Sequence, residues 1–494
     1  MKIGSEDRQC VVHRGKGIGG TSLINQLIYS RGNPTDYDTW AEIVGDPSWR
    51  YENVLEFFKK SEDFHKTNPD APVDWEYHGR DGNLYTNFHI PPSNFTKLFL
   101  QANKEFGKNI TDYNGKEQLG ATILQLNTKA GKRFDQASAF IKPLTMRHNL
   151  IVSEGSYAIK IEINTNTKTT TSVLFTKNKK TYRAKVNLEV VLSAGAISSP
   201  QLLMLSGIGP KNHLKIKHIP LIQDLEVGSR LKDHIFCPLT FSSNLTSPEE
   251  ALTQEIKEYI RGFGDLTAGN PLDAAGWYKT DFEKNPSYPD IEIIPTTSAE
   301  TELGRKFLSW NQETWNDINN NKVNDPFGLS VVLLRTKSAG SVRLKNGNPY
   351  NYPDIDSNPL SDVKSKDIKT LYQGIKLALK VIEMPTFRKI DAKLRVTRLN
   401  ACSNFRYLSN RFWYCYIRHM SIPAFHPVGT CPSGRDPGEA AVVNGNLNVF
   451  GVKNLRVADA SVIPFTFSGH PNAICTMIGE KLSEAIKIDY KIYS

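Results

Sequence analysis

The side chains of this chain that could do chemistry are its histidines, its cysteines and whatever a glycine-rich loop near the start can hold. An imidazole, with a reference pKa of about 6.5, is largely neutral near pH 7 and can take a proton from a hydroxyl group. Eleven histidines are available. Around His470 the local pattern is informative: Pro471 suits the first position of a helix, so His470 would cap the run "NAICTMIGEKLSEAIKI". The partial positive end of that helix would stabilise negative charge developing beside it, although a well-capped structural helix reads the same way. His426 and Cys431 could share a metal, yet no nearby Cys or His completes a four-ligand set. A serine hydrolase is not indicated, because no G-x-S-x-G elbow occurs. The six cysteines, Cys10, Cys237, Cys402, Cys415, Cys431 and Cys475, include no C-x-x-C pair, so neither zinc nor a disulfide framework is expected.

The loop "RGKGIGGTSLIN" contains Gly15-Lys-Gly17-Ile-Gly19-Gly20, which spells G-x-G-x-x-G. A dinucleotide fingerprint also needs a buried strand before the glycines, a helix after them and an acid closing a second strand. Only "CVV" precedes, and "NQLIYSRGNPTDYD" reaches a turn at Gly32-Asn33-Pro34, so Asp36 and Asp38 are not on a strand end. The spelling is therefore read as coincidental. What remains is the pair Gly19-Gly20 followed by Thr21, Ser22 and Asn25, whose backbone N–H groups and small polar side chains could face something that approaches closely, or a tight structural turn.

The elements that must position these residues follow from periodicity. "NVLEFFKKSEDF" and "NFTKLFLQANKEFG" are apolar at helical spacing, so residues from about 50 to 150 read as helical and loop-rich. "LIVSEGSYAIKIEI", "SVLFTKN" and "YRAKVNLEVVLSAGA" predict a small β-meander ending in a buried strand. A helix should follow, capped by Ser198 or Ser199, with Pro200 in its first turn and Gly207 at its end. From 240 to 420 helices ("PEEALTQEIKEYIRGF", "KDIKTLYQGIKLALKVIEM") mix with strands ("PDIEIIP", "GLSVVLLRT", "GSVRLK"), an α+β unit with an antiparallel sheet. "NDINNNKVND" is a biased loop too short to be a linker.

With 494 residues, two or more structural units are expected. The net charge of +10 is spread along the chain without the block of like charges that marks a nucleic-acid arm. The most apolar run, "VVLSAGAISSPQLLMLSGIG", is too interrupted to span a membrane, and no apolar leader follows "MKIGSEDRQC". Sequons at Asn94, Asn109 and Asn244 fit a secreted protein and also arise by chance.

Three segments in order resemble the glucose-methanol-choline (GMC) family of flavin oxidoreductases. "GKGIGGTSLINQLIYSRGNPTDYD" is similar to the family's first signature, the loop lying along the flavin. "GAISSPQLLMLSGIG", preceded by Ser193-Ala194 and followed by "VGSRLKDH", is similar to the second. "FHPVGTCPSG" and "VVNGNLNVFGVKNLRVADASVIPFTFSGHPNA" are similar to the catalytic end. The resemblance implies a GMC-like α/β flavin-binding domain and an α+β substrate domain built on an antiparallel sheet. The flavin domain would take 1–45, 151–235 and 421–494, and the substrate domain 236–420, with 46–150 a helical and loop region on the substrate side.

By the same resemblance the activity is oxidation of a CH–OH group, with hydride passing from a sugar, steroid or other alcohol to FAD and on to oxygen or a quinone. His426 falls on the catalytic base and His470 on its partner; the remaining histidines considered, His13, His65, His78, His89, His148, His213, His218 and His419, are read as structural. Asn25, Gln26, Leu27 and Ile28 would pass beside the flavin ring, where Pro471 and Asn472 open the last helix. Gly19, Gly20, Thr21, Ser193, Ala194 and Gly195 belong to cofactor-binding turns; Ala158 would lie near adenine and Asp459-Ala460 near the ribityl or pyrophosphate side. No histidine occupies Leu23-Ile24-Asn25, so attachment would be noncovalent. Only 14 residues precede the first signature, where family members carry a strand, glycine turn and helix for the ADP half of FAD. The chain is therefore expected to be N-terminally truncated, to lack that βαβ unit and to bind FAD poorly. The alternative is a catalytically inert small-molecule-binding relative that has lost FAD.

Overall fold

The computed structural model describes residues 5, 9–89, 91–244, 252–267, 273–297, 302–320, 326–395 and 397–492. Two apolar cores hold these residues together. The first gathers helices Pro34–Val44, Tyr51–Ser61, Gly195–Leu205 and Pro471–Asp489 around a parallel pair of short strands, Val190–Leu192 and Leu455–Val457. On the C-terminal helix Ala473, Ile474, Met477, Ile478 and Leu482 are buried, the spacing of one helical face. They share a core with Val54 and Phe58 of Tyr51–Ser61. Helix Tyr51–Ser61, expected on the substrate side within 46–150, thus packs in the first core.

Beside this core lies the expected meander, the antiparallel strands Tyr157–Asn164, Thr169–Lys177 and Lys180–Lys185. The strand after it, Val190–Leu192, is buried only at Leu192, so it is not the fully buried strand expected. The next helix also departs from expectation: it starts at Gly195 and carries Pro200 inside it. A proline there leaves the Ala196 carbonyl without its intrahelical donor, and the Thr430 hydroxyl donates to that carbonyl instead at 2.6 Å. Ser199 serves the helix start from within, its Oγ accepting from Ala194 N at 3.0 Å.

The second core lies under a seven-stranded antiparallel sheet in the order Lys393–Arg395, Ile235–Ser242, Phe327–Leu333, Ile291–Thr297, Ala274–Tyr278 and Gly120–Ile123, with Ile422–Pro423 also paired to Ile235–Ser242. Alternation sorts its faces. Ile235, Cys237, Leu239 and Phe241, with Val331, Leu333, Ile291 and Ile293, pack against helices Asn94–Glu105, Lys366–Ile382 and Asn410–Met420. The opposite face carries the cross-strand row Phe236, Val332, Glu292 and Trp277, and there Trp277, Val332 and Ile294 meet Leu27, Ile28 and Tyr113. The expected α+β unit is thus present; "PEEALTQEIKEYIRGF" and "NDINNNKVND" lie partly outside the described residues.

Contrary to expectation, Cys402 and Cys415 form a disulfide. Their spacing signals nothing in sequence; the turn Asn400–Cys402 folds back onto helix Asn410–Met420 and brings them together. Among the described residues no helix is long and apolar enough to cross a membrane.

Candidate active site

The three distant segments converge between the two cores. Asp36, fully buried, caps helix Pro34–Val44 by accepting from Asn33 N at 2.9 Å, and with the same oxygen accepts from Ser468 N at 3.0 Å. The tight turn before that helix and the loop carrying His470 are thereby tied together. They approach so closely that a Cβ on Gly469 would stand 2.6 Å from Gly32 N. Desolvation pushes the Asp36 carboxyl up to about 6 against the hydrogen bonds that favour its charge. The second and third segments are joined at Asp459, whose Oδ2 accepts from Gly195 N at 2.8 Å and from the Ser199 hydroxyl, while Oδ1 accepts from Ser461 N. Both oxygens of Asp459 are thus engaged by the chain itself, which makes it a brace under Ala460.

The opening loop is held against the last helix by Asn127. Its backbone N–H donates to Leu27 O at 2.8 Å, and its side-chain oxygen accepts from Asn472 Nδ2 at 3.1 Å. Arg133 fixes the other end, donating to Asn25 Oδ1 and Asn25 O, each at 2.7 Å. Leu27 sits at φ +68°, and Phe425, just before His426, at φ +62°. Left-handed backbone costs a side-chain-bearing residue ~1–2 kcal/mol, and strain of this kind concentrates where surrounding structure fixes a functional segment. Gln26 is exposed and Ile28 buried. The glycines form a turn, with Gly19 and Gly20 left-handed before the short helical turn Gly20–Leu23; no strand precedes them among the described residues, in keeping with a coincidental G-x-G-x-x-G.

His426 and His470 are brought together, their rings 4.7 Å apart between centroids. His470 caps helix Pro471–Asp489 with Pro471 at its first position, as the sequence implies. Its Nε2–H donates to both carboxylate oxygens of buried Glu292 at 3.1 Å. A third imidazole completes the group: His234 Nδ1 lies 2.9 Å from His426 Nδ1, and His234 Nε2 lies 2.7 Å from Phe467 O. Burial, and then the neighbouring His470, hold His234 down at about 3, so it is neutral with one proton. A carbonyl only accepts, hence that proton is on Nε2 and His234 Nδ1 is an acceptor. His426 must then donate from Nδ1. Burial, His470, His234 and Arg14 hold His426 well below the ordinary histidine range, so it too is neutral and its Nε2 keeps a free lone pair, with no hydrogen-bond partner among the described residues. Beneath it Asp233, pushed up to about 7 by burial, accepts from His426 N at 2.8 Å.

His234 and Glu292 were not candidates in the sequence. His234 stands in "LKDH", a quoted resemblance that assigned it no role, whereas Glu292 in "PDIEIIP" is an inward-facing acid on an apolar strand, a pattern that could have singled it out. Ala158 is exposed on the edge strand Tyr157–Asn164, and Ser193 and Ala194 are exposed at the start of helix Gly195–Leu205. The residues fit a flavin nucleotide. Gly20 and Gly195, left-handed at φ +55° and +84°, face open space, a Cβ on either meeting nothing within 4 Å. Two helix N-termini, at Gly195 and Pro471, offer N–H groups for anionic oxygens.

A buried neutral imidazole with a free lone pair, grouped with two further histidines, has the chemistry of a base that an oxidoreductase acting on a hydroxyl group requires. Residues 2–236 and 336–479 match the two family models described as GMC oxidoreductase. The chain belongs to the GMC oxidoreductases. It is 33% identical over 98% of its length to "Glucose dehydrogenase [FAD, quinone]" of Drosophila pseudoobscura pseudoobscura, of which it spans 76%. It is 31% identical over 97% of its length to "Ecdysone oxidase" of Bombyx mori, spanning 71% of it. Among solved structures it is similar to an FAD-dependent oxidoreductase from Chaetomium thermophilum (TM-score 0.85, 21% identity, 100% of this chain and 89% of that one). An Aspergillus oryzae formate oxidase superposes with TM-score 0.83 at 23% identity, over 97% and 85%. The expected truncation is not supported, because the N-terminal family model is matched from residue 2; the poor FAD binding inferred from it loses its ground.

Proposed function

We propose that His426 is the base in FAD-dependent oxidation of a CH–OH group, with His470 as its partner and FAD held noncovalently. The observation that carries this reading is the directional hydrogen-bond chain from His426 through His234 to the Phe467 carbonyl, which leaves His426 Nε2 unprotonated. FAD, when bound, supplies the hydride acceptor. His426 Nε2 takes the hydroxyl proton, and the resulting imidazolium still donates from Nδ1 to His234. His470, anchored on Glu292, orients the hydroxyl oxygen beside it. Asn25 to Ile28, with Pro471 and Asn472, would hold the flavin ring. Gly20 and Gly195 leave room for phosphate and ribityl oxygens.

The substrate is a small alcohol of sugar or steroid type, in line with the relatives' names. The electrons pass to a quinone or to oxygen. The grouping of His426 with His470, His234 and Glu292 supports the enzyme reading over the inert-binder alternative.

Purified protein reconstituted with FAD tests the proposal. His426→Ala should retain flavin, read from its visible absorption, while kcat/KM falls ~10²–10⁴-fold, the usual share of a general base. Unchanged turnover in that variant would remove His426 from the reaction.

A further inference from the structure

We propose that Asn94, Asn109 and Asn244 accept N-linked oligosaccharide. Five Asn-x-Ser/Thr triplets occur in the chain, and they divide cleanly. In Asn33-Pro34-Thr35 and Asn285-Pro286-Ser287 the middle residue is proline, which bars the modification. Those two asparagines are also occupied: Asn33 Nδ2 donates to Ser287 O at 3.0 Å and Asn285 Nδ2 to Thr35 Oγ1 at 3.3 Å. In the other three, Asn94-Phe95-Thr96, Asn109-Ile110-Thr111 and Asn244-Leu245-Thr246, the middle residue is permissive. All three asparagines are exposed, and none of their side-chain amides has a hydrogen-bond partner among the described residues.

Their placement separates them from the active site. Asn94 opens helix Asn94–Glu105, whose Phe99 and Ala102 are buried in the second core, on the face of the sheet turned away from the histidines. Asn109 follows the end of that helix, and the next residue, Ile110, packs on the same core. Glu105 of this helix accepts from Thr386 N and Thr386 Oγ1 on helix Pro385–Lys389, and Asn244 N donates to Ile390 O just beyond that helix. The three sites therefore border one outer layer. Asn244 lies at the far end of the strand that begins beside His234, roughly 30 Å away at about 3.3 Å per residue. Bulky hydrophilic groups there would coat the layer and leave the histidine side clear.

A second observation is independent of the triplets. The Cys402–Cys415 disulfide joins elements of this same layer, and disulfides persist in chains that fold in an oxidising lumen, where lipid-linked oligosaccharide is also the available donor. In the transfer the asparagine amide nitrogen bonds to the anomeric carbon of the donor's first N-acetylhexosamine. The bond from that carbon to the diphosphate oxygen breaks, the lipid diphosphate leaves with the electron pair, and the amide loses one proton.

The test is made on the native protein, immunoprecipitated from the tissue that expresses it. It is treated with peptide-N-glycosidase F in heavy-oxygen water, and its peptides are mapped by mass spectrometry. The expected result is heavy-oxygen aspartate at positions 94, 109 and 244, and asparagine at 33 and 285. Co-translational glycosylation in microsomes of the full chain placed behind a cleavable secretory leader should show three mobility steps above the unmodified band, one lost in each of Asn94→Gln, Asn109→Gln and Asn244→Gln. Native peptides with unmodified asparagine at all three positions would overturn the proposal, and one at a single position would remove that site.

Discussion

Replacing His234 isolates the hydrogen-bond chain that frees His426 Nε2, without touching His426 itself. In His234→Leu the acceptor 2.9 Å from His426 Nδ1 is gone. The imidazole must then bury an unpaired Nδ1–H, at ~1–3 kcal/mol, or move its proton to Nε2 and lose its lone pair there. At ~1.4 kcal/mol per tenfold change, the competent tautomer falls by ~5- to 150-fold, and kcat/KM should fall with it while flavin content is unchanged. His234→Gln offers an acceptor and a donor in the same order toward His426 and Phe467 O, so it should recover most of the loss. Steady-state turnover of an alcohol panel with a soluble quinone gives the rates, and side-chain nitrogen NMR reports which ring nitrogen of His426 carries the proton. Wild-type kcat/KM in the leucine variant, with His426 still protonated on Nδ1, would refute the tautomer reasoning.

Three further outcomes follow from the same contacts. Gly469→Ala places a Cβ 2.6 Å from Gly32 N and 2.7 Å from Ser30 Oγ; overpacking of this kind costs ~1–3 kcal/mol, so thermal unfolding should drop and, with His470 displaced, kcat should fall more than flavin affinity. Asp36, raised in the folded state to about 6 from an unfolded value near 3.9, is protonated in both states at low pH and must ionise while buried as pH rises, so its contribution weakens stability between about pH 4 and 6 by ~3 kcal/mol. Urea unfolding of wild type and Asp36→Asn across that range should show the difference between them shifting toward the variant, and parallel curves would contradict this. Replacing both Cys402 and Cys415 by serine opens a loop whose ends are 13 residues apart and should cost ~3 kcal/mol by chain entropy, seen as a lower urea midpoint unaffected by reductant.

What could be read from the sequence was local. Pro471 after His470, ahead of an apolar helical stripe, fixes both the cap and the direction of the last helix, and alternation in "PDIEIIP" and "GLSVVLLRT" fixes sheet strands. Partners distant along the chain left no such mark. Glu292 finds His470 only because its strand's register turns that residue toward the opening loop, and Cys402 meets Cys415 only after a turn folds back on a helix. The start of helix Gly195–Leu205 was misplaced because local rules put proline in a first turn, whereas here a side chain from far along the sequence makes an interior proline tolerable.

That substitution of partners couples Pro200 to Thr430 through a hydrogen bond that spans 234 residues of chain. Thr430 stands four residues after His426, so the hydroxyl that closes the gap left by Pro200 also tethers the base's own segment to a helix at whose start the nucleotide would lie. Neither residue is free to drift alone: an alanine at 200 would restore the missing amide and compete for the carbonyl, while a valine at 430 would leave that carbonyl unsatisfied. Lineages that change one should change the other, and the pair offers a readable trace of how the redox half and the proton-handling half of such proteins stay in step.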